Sequence, residues 1–326
     1  MEKQNMQLKF DPKPFLSSSN LPWIQYKLNK DQGGDVQKLK KTLVSDSRIE
    51  QLLEECNQWP GLPMKRHNEA GHILHKICLL IDFGLGMEDE GIPTIAENIL
   101  KHQAENGAFL TNLLIPKHFG GPGEPSMQWI LCDFPTLLYI LLALGYAGNP
   151  QVLKAIELLK SLISNNGWGC MGSMPKFRGP GKKSDPCPYA TLISLKVFAL
   201  LPEYHEEKFI QVACDALLNQ WQERKTKRYY MFAMGTDFQK LKYPNLWFEI
   251  THVCRVLSYF PYARKSTSFQ EMLQIIIEKQ QDSGGFIPES IYTEYKGWDF
   301  GQKKEPSPSL TYAILEIFRN LNNNHR

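Results

Sequence analysis

The sequence repeats a pair of helical segments about every 60 residues, and this repeat constrains the fold more than any other feature. Five apolar segments begin in one register, in which an acidic residue or a proline is followed three positions later by histidine or threonine. These starts are Glu69-x-x-His72, Asp133-x-x-Thr136, Pro188-x-x-Thr191, Glu249-x-x-His252 and Pro308-x-x-Thr311. Proline and acidic residues are favoured in the first turn of a helix, where the amides lack partners. We therefore predict five helices that begin near residues 68, 131, 187, 245 and 307.

Between these segments lie four amphipathic ones, IPTIAENILKHQ, PQVLKAIELLKSLI, EEKFIQVACDALLNQW and SFQEMLQIIIEKQQ. Their apolar residues recur with a period near 3.6, and charged residues occupy the other face. A helix that is apolar all round beside a half-polar helix indicates an inner and an outer layer. The pattern predicts an all-α fold, an α/α toroid in which five to six helical hairpins form a double-layered ring.

The predicted toroid repeats occupy residues 61–326, within a single globular domain. Residues 1–60 form an N-terminal extension whose irregular helical hairpin, at about residues 21–58, completes the ring. Ser45 or Asp46 is expected to cap a helix that runs through Cys56.

A second repeat follows the amphipathic helices. Gln103-AEN-Gly107-Ala-Phe109 and Gln280-QDS-Gly284-Gly-Phe286 share the pattern Q-x3-G-x-F, and SNNGWG at Trp168 is a looser copy. The pattern resembles the QW motif of squalene and hopene cyclases, with phenylalanine in place of tryptophan. With the helix register, the chain resembles the terpenoid-cyclase and protein-prenyltransferase toroid superfamily over roughly residues 60 to 320. The segments PWIQY, LPMKRHNEAGHILHKICLLIDFGL and KLKYPNLWFEITHVCRVL resemble an uncharacterised squalene cyclase-like, or prenyltransferase-like, branch.

This resemblance implies an apolar cavity and an isoprenoid-like ligand, but the known catalytic motifs are absent. Hopene cyclases protonate their substrate with a D-x-D-D cluster, for which Asp133 is the nearest substitute. Prenyltransferase β subunits bind zinc through a D-x-C pair and a later histidine, and neither is found at the corresponding places. The family's catalytic residues therefore cannot be transferred to this chain one by one.

Instead, the chain carries two E-x-x-H pairs, Glu69 with His72 and Glu249 with His252. Residues three apart share a helix face, and the same spacing occurs in di-iron carboxylate sites. With Asp133 in the same register, these five residues are the predicted catalytic groups. The two pairs are also the candidate ligands of a divalent metal ion, while the cofactor itself stays unidentified. The alternatives are an acid–base or polar-recognition role without metal, and a purely structural role in the first helical turns.

The connections from each outer helix to the next inner helix are long and carry more basic than acidic residues. Lys176, Arg178 and Lys240 are predicted to bind an anionic head group such as a diphosphate. Further basic residues in these loops are Lys182, Lys183, Arg224, Lys225, Lys227, Arg228 and Lys242. The aromatic residues predicted to line the cavity and contact the substrate are Trp129, Tyr189, Trp247 and Tyr312. The alternatives are that the lysines are merely solvated and that the aromatic residues form core. Cys170 and Cys187 flank one basic loop and are possible thiolate ligands.

The composition narrows the class of protein. A net charge of +3 gives no reason to expect a nucleic-acid partner, and seven scattered cysteines are typical of free thiols in a reducing compartment. The N-terminus lacks an apolar signal segment, so we expect a cytoplasmic protein. The apolar segment from Trp129 to Gly148 is interpreted as a buried helix rather than a membrane span. The oligomeric state is not determined by the sequence.

Two functions are compatible with these sequence features. The first is a prenyltransferase-like or terpene cyclase-like enzyme for an isoprenoid or similar apolar substrate with an anionic head. The second is a non-catalytic toroid that binds a lipid-like ligand or a protein through its long loops. A carbohydrate-active toroid is a weaker third possibility, because it would need more cavity carboxylates.

Overall fold

The computed structural model describes residues 6–179, 185–227 and 232–322. Within this part of the chain there are 14 α-helices and one antiparallel pair of strands, β1 (Thr111–Leu114) and β2 (Pro125–Gln128). The helices are α1 (Lys13–Ser17), α2 (Pro22–Asp31), α3 (Gln37–Val44), α4 (Ser47–Cys56), α5 (Ile73–Asp82), α6 (Ile92–Lys101), α7 (Phe134–Ala143), α8 (Pro150–Ser161), α9 (Pro188–Phe198), α10 (Lys208–Gln222), α11 (Ile250–Leu257), α12 (Pro261–Arg264), α13 (Thr267–Glu278) and α14 (Pro308–Asn322). The all-α class is therefore confirmed.

The predicted helix starts agree with the structure to within five residues, with one consistent difference. Helices α9 and α14 begin with the proline of the repeat register, at Pro188 and Pro308. Helices α5, α7 and α11 begin one to four residues after the acidic residue of the register. Proline has a backbone dihedral that suits the first helical position, whereas acidic residues precede the helix as caps or in turns. The acidic residues of the register are thus placed before the helices and not within them.

The chain divides into two compact units. The central unit comprises residues 44–216, and the terminal unit comprises residues 1–43 with residues 217–326. In the central unit, α7 packs against α5, α6, α8 and α9, and nearly all of its side chains are buried. The interpretation of the apolar segment around α7 as a buried helix is therefore confirmed. Among the described helices, none has the length and hydrophobicity needed to cross a membrane.

The terminal unit joins the two ends of the chain. Helices α1 and α2 pack against α14, where the indole N–H of Trp23 donates to Ser309 Oγ over 2.8 Å. Asp31 accepts a hydrogen bond from the Tyr312 hydroxyl over 2.6 Å and also pairs with Arg319. Helix α11 packs against α13 and α14 in the same unit.

The N-terminal hairpin predicted at residues 21–58 is instead three helices, α2, α3 and α4. The chain leaves α2 at Gly33, whose φ of +71° is readily adopted only by glycine. The predicted cap of α4 is confirmed, because an Asp46 carboxylate oxygen accepts the Arg48 amide over 3.0 Å. The helix ends at Cys56, as predicted.

The Q-x3-G-x-F segments have the same local structure in both places. The Gln103 side-chain amide donates to the carbonyl of Gly107 over 2.8 Å, and that of Gln280 donates to Gly284 over 2.9 Å. Both glycines have positive φ, at +102° and +84°. The aromatic residue that follows each glycine is fully buried. The repeat in the sequence thus reflects a repeated loop closure stabilised by a glutamine.

The threonine of the helix register binds the preceding loop at Phe286 and at Trp168 of the looser copy. Thr311 Oγ1 accepts the amide of Phe286 over 2.9 Å, and Thr191 Oγ1 accepts the amide of Trp168 over 3.1 Å. Each threonine side chain thereby joins the loop to the first turn of the next helix.

Candidate functional site

The terminal unit contains a cavity of about 240 Å³ beside the first turn of α11. Its walls combine aromatic rings with several charged groups. The lining residues are Ala233, Asp237, Phe238, Lys240, Lys242, Trp247, Phe248, Glu249, Ser290 and Tyr292. Three of the predicted site residues, Lys240, Trp247 and Glu249, therefore meet at one cavity.

Backbone and side-chain hydrogen bonds hold this cavity against α11. The amide of Ile250 donates to the carbonyl of Phe238 over 2.9 Å, and the Thr251 hydroxyl donates to the carbonyl of Lys242 over 3.2 Å. The amide of Leu241 donates to the Glu289 carboxylate over 2.8 Å. The loop before α11 is therefore fixed both to the helix and to the following loop.

Glu249 is the chemically distinctive residue of the cavity. It precedes α11, and only 5% of its surface is exposed. Burial raises the pKa of its carboxyl group to about 8, although the charge of Lys242 and a 3.3 Å hydrogen bond from Asn245 act in the opposite direction. A carboxyl group with this pKa gains and loses its proton near neutral pH.

Two lysines give the cavity its positive charge. The ammonium of Lys242 lies 3.3 Å from the centre of the Tyr292 ring, a cation–π contact. Burial lowers the pKa of Lys242, while the charges of Glu249 and Glu294 raise it. The ammonium of Lys240 lies 2.6 Å from an Asp237 carboxylate oxygen on the exposed side. Lys242 is thus the cation associated with the buried part of the site.

Asp133 is buried in a different place, in the central unit, directly before α7. His67 Nδ1 donates to Asp133 Oδ1 over 3.0 Å, while Asp133 Oδ2 is buried and accepts no hydrogen bond from the described residues. Burial lowers the pKa of His67, but the charge and hydrogen bond of Asp133 outweigh this effect, and the pKa is raised overall. The contact with Asp133 therefore favours the protonated form of His67.

The first E-x-x-H pair does not form the predicted helix face. Glu69 lies in the turn before α5, and its carboxylate accepts the Lys65 amide over 3.2 Å. His72 caps α5, because its Nδ1 accepts the Leu74 amide over 3.2 Å and its Nε2 donates to the Leu62 carbonyl over 3.0 Å. Burial lowers the pKa of His72, which keeps the ring neutral. Both ring nitrogens of His72 are therefore occupied by backbone contacts, and a catalytic or metal-binding role of His72 stays an untested prediction.

The two residues of the second pair have different surroundings. His252 is buried in the first turn of α11, and its Nδ1 donates to the Trp247 carbonyl over 2.8 Å. Glu249 faces the cavity described above. Across residues 6–179, 185–227 and 232–322, no three His, Cys, Asp or Glu side chains are grouped so that they could hold a metal ion. The predicted four-residue metal site is therefore not formed by these pairs.

Of the four predicted substrate-binding aromatic residues, only Trp247 lines the cavity. Trp129 is buried and contacts Phe134 edge to face. Tyr189 is buried in the first turn of α9. Tyr312 is buried against α2, with the Lys27 ammonium 4.0 Å from its ring centre. These three aromatic residues belong to the protein core.

The two basic residues predicted in the 167–187 loop lie on the surface of the central unit. Lys176 is exposed, and the Arg178 guanidinium donates to the His118 carbonyl over 3.3 Å. This contact joins two long loops of the central unit. The predicted rim residues Lys182, Lys183 and Arg228 lie outside the described residues.

Several residues of these sites were not predicted from the sequence. His67 is separated from Asp133 by 66 positions, and no spacing pattern connects them. Tyr292 and Ser290 lie in a loop after α13 that carries no recognisable motif. Lys242 was counted only as one basic residue among many, and nothing in its local sequence shows that it is partly buried.

No family model matches the chain, and no curated protein matches it. Among solved structures, a crystal structure of a protein from Actinoplanes matches 92% of this chain and 89% of that chain, with 12% identity and a TM-score of 0.40.

Proposed function

We propose that the cavity in the terminal unit binds a small anionic ligand with an apolar portion, and that Glu249 exchanges a proton with it. The observation that supports this most strongly is a buried carboxyl group with a pKa of about 8 in a cavity beside a lysine. General acids and bases work best when their pKa is near the working pH, and burial is the usual way to raise a glutamate to this range.

The charges and walls of the cavity indicate the ligand class. The Lys240 and Lys242 ammonium groups attract an anion, and the rings of Phe238, Trp247 and Phe248 offer an apolar surface. A volume of about 240 Å³ is below the ~300–1,000 Å³ of pockets that hold drug-sized ligands. The cavity therefore suits an anionic head group with a short apolar segment, such as a five-carbon diphosphate ester.

The pKa of Glu249 also limits the reaction. A carboxyl group with a pKa near 8 is a weaker acid than an ordinary glutamic acid. It is poorly suited to protonate an unactivated alkene, as a cyclase that starts by protonation requires, and well suited to exchange a proton with an oxygen or an activated carbon. We therefore favour acid–base chemistry on the head-group end of the ligand.

The proposal also includes the arrangement of the helices. We propose that the helical pairs form an α/α toroid of the terpenoid-cyclase and prenyltransferase kind. Two observations support it: the helix register that recurs in the sequence and the glutamine-stabilised loops at Gln103 and Gln280. A role in binding without catalysis is the alternative, and it predicts ligand binding without product.

Isothermal titration calorimetry of the full chain tests the proposal. The probes are dimethylallyl diphosphate, inorganic pyrophosphate and dimethylallyl alcohol. We expect the diphosphate ester to bind most tightly and the alcohol not to bind. An anion near Lys242 should raise the Glu249 pKa further, so binding near pH 8 should take up a proton. Titrations in buffers of different ionisation enthalpy measure this uptake.

Variants separate the two residue roles. Lys242→Met should weaken binding of the diphosphate ester at least tenfold, which corresponds to about 1.4 kcal/mol. Glu249→Gln should keep binding but lose the proton uptake. Lys265→Met, an exposed lysine of the same unit, is the matched control and should change neither. If no probe binds, or if Lys265→Met weakens binding as much as Lys242→Met, the proposal is wrong.

A further inference from the structure

A network of side-chain hydrogen bonds connects the cavity of the terminal unit to residues that do not line it. Its centre is Asn245, in the loop before α11, with 7% of its surface exposed. The side-chain nitrogen of Asn245 donates to Glu249 Oε1 over 3.3 Å and to Thr251 Oγ1 over 3.2 Å. Its side-chain oxygen accepts a hydrogen bond from Arg255 Nη1 over 3.3 Å. Asn245 therefore joins a cavity residue, Glu249, to two residues of α11.

Helix α11 places Thr251 and Arg255 on one face. The two residues are four positions apart, and residues with this spacing are neighbours on a helix surface. Thr251 is buried, whereas Arg255 extends to α14, where its Nη2 lies 2.6 Å from Glu316 Oε2. The other carboxylate oxygen of Glu316 lies 3.5 Å from the ammonium of Lys27 in α2. The guanidinium of Arg255 is thus held in place by an ion pair.

The guanidinium sets the direction of the hydrogen bonds in this network. It has only donors, so the side-chain oxygen of Asn245 faces Arg255. The NH₂ group of Asn245 then faces Glu249 and Thr251. Because the Thr251 oxygen accepts from Asn245, its own proton is donated to the Lys242 carbonyl, 3.2 Å away. One cation thereby fixes which atoms donate and which accept as far as the cavity.

The network ends at two residues that line the cavity. One branch places a donor on the Glu249 carboxyl group, and the other holds the backbone of Lys242 against the first turn of α11. Without Arg255, the Asn245 amide can flip and present its oxygen to an ionised Glu249, so that two acceptors face each other. A buried acceptor without a donor is unfavourable, and the carboxylate would turn away from its present position.

We propose that Arg255 and Asn245 are positioning residues for the cavity. Arg255, anchored by Glu316, orients the Asn245 amide. The amide in turn orients the Glu249 carboxyl group and, through Thr251, fixes the backbone of Lys242. This inference rests on the ligand-binding role proposed above. It adds that an ion pair between α11 and α14 controls the geometry of a site that it does not line.

A purely structural role of the ion pair predicts a different result. An ion pair that only joins α11 to α14 would lower the stability of the unit when it is broken, and the orientation of Asn245 would stay the same. The identity of the side chain at position 255 separates the two roles. Arg255→Lys keeps a cationic group that has only donors, whereas Arg255→Met has no donor for the Asn245 oxygen.

The first test uses the full chain without ligand. Proton–nitrogen NMR follows the side-chain amide of Asn245, which is assigned by the loss of its signal in Asn245→Leu. We expect Arg255→Met to shift both amide protons and to speed their exchange with solvent at least about tenfold, and Arg255→Lys to stay near wild type. Arg264→Met is the matched control, because it removes another half-buried arginine of the unit, which donates to the Ser258 carbonyl. Urea unfolding shows whether each variant is folded.

Calorimetry with dimethylallyl diphosphate then tests the effect on the cavity. Arg255→Met should weaken binding at least about fivefold, the effect of one hydrogen bond, and Arg255→Lys should restore most of the affinity. Arg264→Met should bind like wild type. An Arg255→Met chain that binds as wild type does, or whose Asn245 signals are unchanged, contradicts the positioning role. If the wild type binds no probe, the proposed function is wrong, and the amide signals still decide whether Arg255 orients Asn245.

Discussion

Asp133 and Glu249 are buried carboxyl groups at the same position of the repeat, directly before helices α7 and α11, yet their hydrogen-bond partners differ. At Asp133 the partner is an imidazole whose Nδ1 lies 3.0 Å from the carboxylate oxygen. At Glu249 the only close donor among the described residues is an amide at 3.3 Å, from Asn245. One carboxyl group therefore has a direct ionic partner, and the other does not.

The comparison shows how a direct polar partner changes the pKa values around a buried carboxyl group. The direct contact at Asp133 raises the pKa of His67 in spite of its burial. At Glu249 the cation of Lys242 lies over the Tyr292 ring, so burial is the larger effect and the carboxyl pKa rises to about 8. The same repeat position thus holds a carboxylate–imidazole contact in one unit and a carboxyl group with a raised pKa in the other.

The largest effect is expected for Glu249→Gln. Glu249 has a folded-state pKa of about 8 and an ordinary value of 4.5. Between these values the unfolded chain loses its proton first, so stability falls as pH rises, by up to about 1.4 kcal/mol per pH unit. The variant has no carboxyl group at this position, so its stability does not fall in this way. Relative to wild type, its free energy of unfolding should therefore rise by up to about 2.7 kcal/mol between pH 5 and pH 7. Urea unfolding at the two pH values measures the difference.

The urea experiment has to account for the other charged groups near Glu249 and needs a control variant. Lys242 and Glu294 are the other charged groups that act on this site, and Lys240 and Asp237 line the same cavity. Asp282→Asn, at an exposed carboxylate of the same unit, is the control and should show no such gain. A Glu249→Gln gain that does not grow with pH would mean that Glu249 is charged in the folded protein.

The E-x-x-H pairs show what the sequence can and cannot predict. Helix type and the approximate starts followed from apolar periodicity and from first-turn residues, which are local properties. The direction in which the Glu69 and Glu249 side chains point depends on where each helix begins. A shift of one residue in the helix start turns a side chain by about 100° around the helix axis. His72 became a cap because α5 starts at Ile73, after the pair. The cavity residues came from loops whose positions are set by tertiary contacts, so local patterns could not identify them.

The second prediction concerns the ion pair at Asp133. Because the folded pKa of His67 is raised above 6.5, the pair stabilises the protein fully below pH 6.5, and this contribution is lost as pH rises through the folded pKa. Asp133→Asn should therefore destabilise the chain by about 2 kcal/mol at pH 6 and by less at pH 9. The pKa of His67, followed by NMR, should fall in the variant.

Cys187 and Glu69 also act on His67, and the His75 ring donates to its carbonyl. Glu69→Gln is the control. Glu69 lies in a turn, and its carboxylate is hydrogen-bonded to the Lys65 amide and not to the His67 imidazole. We expect it to lower the His67 pKa much less than Asp133→Asn does. A loss of stability for Asp133→Asn that is equal at pH 6 and pH 9 would show that the pair is not ionic.

The smallest effect is expected for Lys242→Met, which changes the pKa of Glu249. This variant tests whether Lys242 contributes to the difference between Glu249 and Asp133. A nearby cation lowers the pKa of a carboxyl group, so its removal should raise the pKa of Glu249 by about 1 unit. The methionine can keep the apolar contact with Tyr292, and Lys265→Met again serves as the control. Carbon-13 NMR of the glutamate carboxyl groups measures the shift. An unchanged pKa would mean that Lys242 does not act on Glu249, and the contrast with Asp133 would then rest on burial and hydrogen bonding alone.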